Sequence, residues 1–78
     1  MGFQPIPTKK FIAWLKSKGL TRIRSKGDHD IWNFLINPLN RPIVIRSKDK
    51  EIPPLHINST LLTLGISYKD FQKEINLF

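Results

Sequence analysis

The sequence predicts an α+β domain in which a three-stranded antiparallel sheet carries helices on one face, in the order α-β-β-β-α. An amphipathic segment opens the chain, three β-prone runs with tight turns follow, and a second helical region comes last. Sequential strands joined by short turns form antiparallel meanders. Because 78 residues can build only one hydrophobic core, we expect a single domain over residues 1–78, with a short N-terminal extension at 1–7.

The first helix is predicted from "KKFIAWLKSK", in which Phe11 and Leu15 lie on one helical face. Thr8 precedes this run and has a side chain suited to an N-cap. Gly19 provides the stop, because glycine accepts the left-handed conformation that often follows a helix. The expected helix therefore lies between Thr8 and Gly19.

The first strand is predicted from "LTRIRSK". Regular alternation places Arg22 and Arg24 on one face of this strand and Thr21 and Ile23 on the other. The strand leads into "KGDH", a turn in which Gly27 can take a positive φ. We therefore expect a hairpin with a basic strand on its first arm.

The second strand is predicted from "DIWNFLIN", whose β-branched and aromatic residues are typical of a central strand. Trp32, Phe34 and Ile36 alternate and are expected to face the helices, and Trp14 of the first helix is expected in the same core. If no bulge interrupts the alternation, His29 lies on the opposite, accessible face.

The remaining elements follow from local signals. "NPLNR" is predicted as a turn, "PIVIRS" as the third strand and "KDKEIPP" as a polar loop. A helix is expected from about Leu55 to Gly65. "SYKD" resembles a capping box with Asp70 in the acidic position, opening a last helix through about Asn76.

The positive charge is concentrated at the start of the chain. The formal net charge is +7, and residues 1–27 hold seven basic and no acidic residues, whereas the rest holds six of each. A polyanion is the natural partner of such a surface, either a nucleic acid or an acidic protein. A protein-interaction domain that docks an acidic partner and never meets RNA is therefore one of the open alternatives.

Several functional classes are disfavoured by composition. Without cysteine the chain has no disulfide and no thiolate zinc site. No apolar run is long enough to span a membrane, and "MGFQPIPT" lacks the features of a signal peptide, so we expect a cytoplasmic protein. His29 with Asp28 and Asp30 makes a poor metal site, since neighbours on a strand point to opposite faces, and we expect neither metal nor cofactor.

RNA cleavage requires fewer catalytic groups from the enzyme than the other hydrolytic reactions considered. The 2′-hydroxyl of RNA is itself a nucleophile, so the enzyme must only move protons and stabilise phosphate charge. A histidine can transfer protons near neutral pH, and arginine or lysine can hold phosphates. His29 next to Lys26, Arg24 and Arg22 provides both kinds of group within one turn.

Taken together, the helix ending in "KGL", the stretch "RSKGDHDIW" and the closing "LLTLGISYKDF" resemble the HicA family of small bacterial toxins. The resemblance runs from about Lys9 to Phe71. It implies a double-stranded-RNA-binding-domain-like fold, messenger-RNA endoribonuclease activity and an acidic HicB-like antitoxin that covers the active surface. The family's Gly-Ser-His signature stands here as Gly27-Asp28-His29, so the resemblance implies that His29 is catalytic.

Around that histidine we expect Lys26, Arg24 and Arg46 to hold phosphates of a single-stranded RNA, with Lys9 and Lys10 extending the basic surface.

Two departures from the family pattern concern the site. Asp28 replaces the usual serine, so we expect His29 to lie between two carboxylates that modulate its activity. Many members also end the third strand with a Pro-Arg-His-like sequence, whereas this chain has Ile45-Arg46-Ser47. Because the histidine after Arg46 is missing, a binding module of the same fold without catalysis stays open as a second alternative.

His56 is expected to be structural or solvated.

Overall fold

The computed structural model describes residues 4–46 and 48–78 and shows a small α+β protein. In chain order its elements are β1 (Ile6–Pro7), α1 (Thr8–Ser17), β2 (Thr21–Lys26), β3 (His29–Asn33), β4 (Ile43–Arg46), β5 (Glu51–Ile52), α2 (Pro54–Leu64) and α3 (Tyr68–Ile75). The three-stranded sheet has the order β2-β3-β4, with both pairs antiparallel, as predicted. Residues 1–3 of the expected extension and Ser47 of the expected third strand lie outside the described residues.

One apolar core joins the sheet to the helices. Trp32, Ile43 and Ile45 are buried on the same face of β3 and β4, and residues of all three helices bury against them. Trp14 is completely buried and meets Phe71 of α3 edge to face, with ring centroids 4.8 Å apart. The prediction that both tryptophans belong to the core is confirmed.

The start of α1 differs from the prediction. The N-cap is Pro7, which makes no side-chain cap, and Thr8 is the first helical residue. The Thr8 hydroxyl donates instead to the backbone carbonyl of Asp49, and the Thr8 amide donates to the carbonyl of Lys50. Thr8 therefore ties the helix to the segment after β4, a long-range role that local sequence does not reveal.

The segment predicted as a polar loop contains a strand. Ile6 pairs with Ile52 and Pro7 with Glu51, so that β1 and β5 form a two-stranded antiparallel sheet. Ile52 is buried in the core. The prediction missed β5 because two residues carry too little pattern to be recognised without their partner.

A β-bulge in β2 corrects the predicted alternation. Arg22 pairs with Trp32 and Arg24 pairs with Ile31, which leaves Ile23 as the extra residue. Because directly opposed residues project from the same face of a sheet, Arg22 lies on the face that carries the core and Arg24 on the open face. The expectation that the two arginines share one face is wrong.

Strand β3 ends earlier than predicted. The Asn33 side-chain oxygen accepts from the amides of Phe34 and Leu39, and its Nδ2 donates to the Leu39 carbonyl. These bonds turn the chain into a loop. Ile36, expected in the core, is 83% exposed in that loop, and Phe34 is only partly buried.

The two C-terminal helices match the prediction closely. α2 ends at Leu64, and its C-cap Gly65 adopts the left-handed conformation with φ of 71°. Ser67 is the N-cap of α3, and its hydroxyl accepts from the amide of Asp70 at 3.1 Å. Among residues 4–46 and 48–78, no helix has the length and apolar character that crossing a bilayer requires.

Candidate functional site

A tight hairpin turn positions His29 at the first residue of β3. Gly27 and Asp28 form the two-residue loop between β2 and β3, and Gly27 has φ of 61°, as predicted. A positive φ at the first loop residue but not at the second characterises the type II′ hairpin, where glycine is strongly favoured at the first position. The turn closes with Lys26 paired to His29.

His29 lies in register between two cations. It pairs with Lys26 on β2 and with Arg46 on β4, so the three residues form one row across the sheet. Directly opposed residues share a face, with Cβ atoms about 4.5–5.5 Å apart. Arg24, opposite Ile31, lies on the same face one pair further along. All four polar side chains of this group are exposed.

The structure separates the two aspartates that flank His29 in sequence. Asp30 lies on the face that carries the core, is 5% exposed, and accepts a hydrogen bond of 2.6 Å from the Ser25 hydroxyl. Asp28 forms an ion pair of 2.8 Å with Lys48. The expectation that two carboxylates bracket the imidazole is wrong for Asp30, because strand alternation turns it away.

Lys9 and Lys10 stand in the first turn of α1, and neither lines the cavity next to His29. The buried face of α1 packs in the core, on the side of the sheet opposite His29. The structure therefore unites Arg24, Lys26 and Arg46 around His29 but does not bring these two lysines to the same place.

A groove of about 500 Å³ extends from His29 and the edge strand β4 to helix α2. It contains two histidines, two arginines, three hydroxyl side chains and several apolar residues, and none of the described residues that line it is acidic: His29, His56, Arg41, Arg46, Ser59, Thr60, Thr63, Pro42, Ile43, Val44 and Leu62. Such a lining favours an anionic ligand. The volume falls within the roughly 300–1,000 Å³ of typical ligand pockets.

Sequence reasoning missed the position of His56. Its local sequence, "PPLHIN", contains no charged neighbour and no motif that marks a site. Only the packing of α2 next to β4 brings it into the groove that His29 lines. A search for polar residues in the first turn of that helix would have found it as a candidate.

A second cavity, of about 560 Å³, lies on the other side of the sheet between α1 and the first two strands of the three-stranded sheet. Lys16, Arg22, Asp30 and Trp32 line it. The Trp32 Nε1 atom is buried and has no hydrogen-bond partner among the described residues. Arg22 thus belongs to a different environment from Arg24, with its guanidinium 3.9 Å from the Asp30 carboxylate.

Within the described ranges, no three His, Cys, Asp or Glu side chains group closely enough to hold a metal ion. The class of site that the geometry defines is a cationic, solvent-open surface that presents imidazole groups. Comparison with protein-family models, curated proteins and solved structures gave no match for this chain.

Proposed function

We propose that the protein is a HicA-like endoribonuclease that cleaves single-stranded messenger RNA without a metal ion, with His29 as a proton-transfer residue. The observation that carries the proposal is the row in which His29 lies between Lys26 and Arg46 on the open face of the sheet. We also propose that the fold is of the double-stranded-RNA-binding-domain type, with β1 and β5 added to it.

The reaction that fits this row is internal transesterification. The 2′-hydroxyl gives up its proton and its oxygen attacks the neighbouring phosphorus, the bond from phosphorus to the 5′-oxygen breaks, and that oxygen takes up a proton. The products are a 2′,3′-cyclic phosphate and a 5′-hydroxyl. Positioned general acids and bases accelerate such steps by about 100- to 10,000-fold.

In the proposed reaction Lys26 and Arg46 hold the reacting phosphate; the register supports this, since each is directly opposite His29 on a neighbouring strand. Cations near the phosphate stabilise the negative charge that develops in the transition state. Arg24 extends the basic row by one pair, toward the next phosphate of the chain. Ile31 and Val44, paired beside this row, offer an apolar floor for a ribose or base.

The same surface suits an inhibitory protein. We propose an acidic, HicB-like antitoxin in the cytoplasm whose carboxylates engage Arg24, Lys26 and Arg46 and whose binding buries His29. The chain's formal net charge of +7 supports an acidic partner through long-range attraction.

The test is incubation with single-stranded RNA in EDTA of three purified proteins in parallel: the wild type, His29→Ala and Lys69→Ala. Lys69 is exposed on α3, so its replacement removes one charge away from the groove. We expect cleavage by the wild type and by Lys69→Ala, and a loss of at least about 100-fold in His29→Ala with RNA affinity largely kept. Binding without cleavage by the wild type would show a non-catalytic RNA-binding module. No RNA binding at low salt would contradict the proposal and support the protein-interaction domain.

A further inference from the structure

We infer that His56 is a second catalytic residue of the same site, and that His29 and His56 divide the two proton transfers of RNA cleavage between them. This inference rests on the proposed function and goes beyond it, since cleavage by His29 does not by itself require a second histidine.

The first support is the shared groove. His29 begins β3 and His56 lies in the first turn of α2, and both line the groove of about 500 Å³ that also contains Arg46. These are the two histidines of the whole chain. The fold therefore brings both imidazoles to one ligand-sized space from separate elements.

Both imidazoles are open to a ligand. His29 and His56 are exposed, and neither side chain makes a hydrogen bond or ion pair with another described residue. The Thr60 hydroxyl donates to the His56 backbone carbonyl at 2.9 Å, and this bond does not involve the imidazole. A histidine that served only to stabilise α2 would be expected to use its ring for a contact within the fold.

The chemistry of the reaction requires two proton transfers at different atoms. One group must remove the proton from the 2′-oxygen while another delivers a proton to the departing 5′-oxygen. Because the attacking and leaving oxygens lie on opposite sides of the phosphorus, one imidazole cannot serve both atoms in the same step. Two histidines that line one groove from different elements can serve both.

The charges of the groove favour a phosphate as its ligand. Arg41 and Arg46 line it, and no described lining residue is acidic. The first turn of α2 contains no acidic residue, so the positive end of the helix dipole next to His56 is not neutralised there. The Arg46 guanidinium also lies 3.7 Å from the Asp49 carboxylate, so a phosphate would share or replace that contact. A phosphate held by Arg46 would lie in the groove that both histidines line.

The experiment compares His29→Ala, His56→Ala and Leu55→Ala on two RNA substrates in EDTA. One substrate is ordinary RNA, and the other has sulfur in place of the 5′-oxygen at one cleavage position. A thiolate leaves without being protonated, so this substrate does not need the acid. Leu55 is 72% exposed, precedes His56 on α2 and lies outside the groove lining, which makes it a matched control.

On ordinary RNA we expect His56→Ala to lose about 100- to 10,000-fold in cleavage rate and Leu55→Ala to cleave like the wild type. On the sulfur substrate, only one of the two histidine variants should recover the wild-type rate, which identifies that histidine as the acid and the other as the base. Circular dichroism melts should show all three variants folded.

Wild-type cleavage of ordinary RNA by His56→Ala, with His29→Ala inactive, would overturn this inference and leave the proposed function intact. Recovery of both histidine variants, or of neither, would also overturn it, because a division of acid and base roles predicts one recovery. Absence of cleavage by the wild type would overturn the proposed function itself.

Discussion

Arg22 and Arg24 are two residues apart on β2 and project from opposite faces of the sheet, because the bulge at Ile23 shifts the register between them. Arg22 faces Asp30 on the side of the core, and Arg24 lies on the open face with His29. The two arginines thus form a natural matched pair, identical in residue type, charge and strand but different in environment.

Replacement of each arginine in turn should show which face of the sheet binds RNA. We expect Arg24→Ala to reduce the slope of log affinity for single-stranded RNA against log salt by about 0.7, the value for one lost phosphate contact. Arg22→Ala removes the same charge and should leave the slope unchanged. Fluorescence anisotropy over a salt series measures both. Equal slopes for the two variants would contradict a phosphate contact that is made by Arg24 and not by Arg22.

Asp28 should restrain the site through its ion pair with Lys48. Asp28→Ser removes a carboxylate next to His29 and frees Lys48 to bind phosphate, so RNA affinity and cleavage rate should both rise. Lys48→Ala leaves Asp28 unpaired and should lower both. Both partners are substantially exposed, so unfolding free energies should change by no more than about 1 kcal/mol. Identical kinetics for wild type and Asp28→Ser would show that the aspartate has no effect.

Asp30 should be a structural residue in spite of its position next to His29. Asp30→Ala removes a buried carboxylate that accepts from Ser25, and we expect a loss of about 1–3 kcal/mol in unfolding free energy. Asp28→Ala, the matched change on the other side of His29, should alter stability by less than about 0.5 kcal/mol. Urea denaturation measures both values. An Asp30→Ala protein with the unfolding free energy of the wild type would contradict a structural role for this carboxylate.

Glu74 should make stability depend on pH in the acid range. Hydrogen bonds from Lys18 and from Trp14 Nε1 lower the pKa of the Glu74 carboxyl below its ordinary value of 4.5. A lowered folded-state pKa stabilises the protein above the unfolded pKa, and this contribution disappears as pH falls through the folded pKa.

Glu74→Gln should therefore lower the melting temperature at pH 7, and the difference from the wild type should shrink as pH falls below 4.5 and through the lowered folded-state pKa. The amide can still accept from Trp14 but cannot neutralise Lys18. Glu51→Gln, an exposed change on β5, provides the control. A difference in melting temperature between Glu74→Gln and the wild type that stays constant from pH 7 to pH 3 would contradict a lowered pKa for the Glu74 carboxyl.

Local chemistry in the amino-acid sequence determines several elements of the fold. Gly27 marks the hairpin because a positive φ in a two-residue turn favours glycine. Ser67 marks the start of α3 through a hydroxyl that caps a nearby amide, and helical spacing assigns Trp14 to the core. Each depends on interactions between residues close in the chain, which pattern and propensity describe well.

Tertiary packing decided the composition of the site. The bulge that separates Arg22 from Arg24 arises from pairing with β3, and the groove shared by His29 and His56 exists because α2 packs next to β4. The bond from Thr8 to the carbonyl of Asp49 likewise joins distant segments. Contacts of this kind have no local signature, because they depend on how elements pack and not on which residues adjoin. The sequence alone therefore determined the α+β class, His29 as a candidate and Arg24, Lys26 and Arg46 as cations near it. Only the folded chain showed that Lys9 and Lys10 lie elsewhere and that His56 lines the same groove as His29.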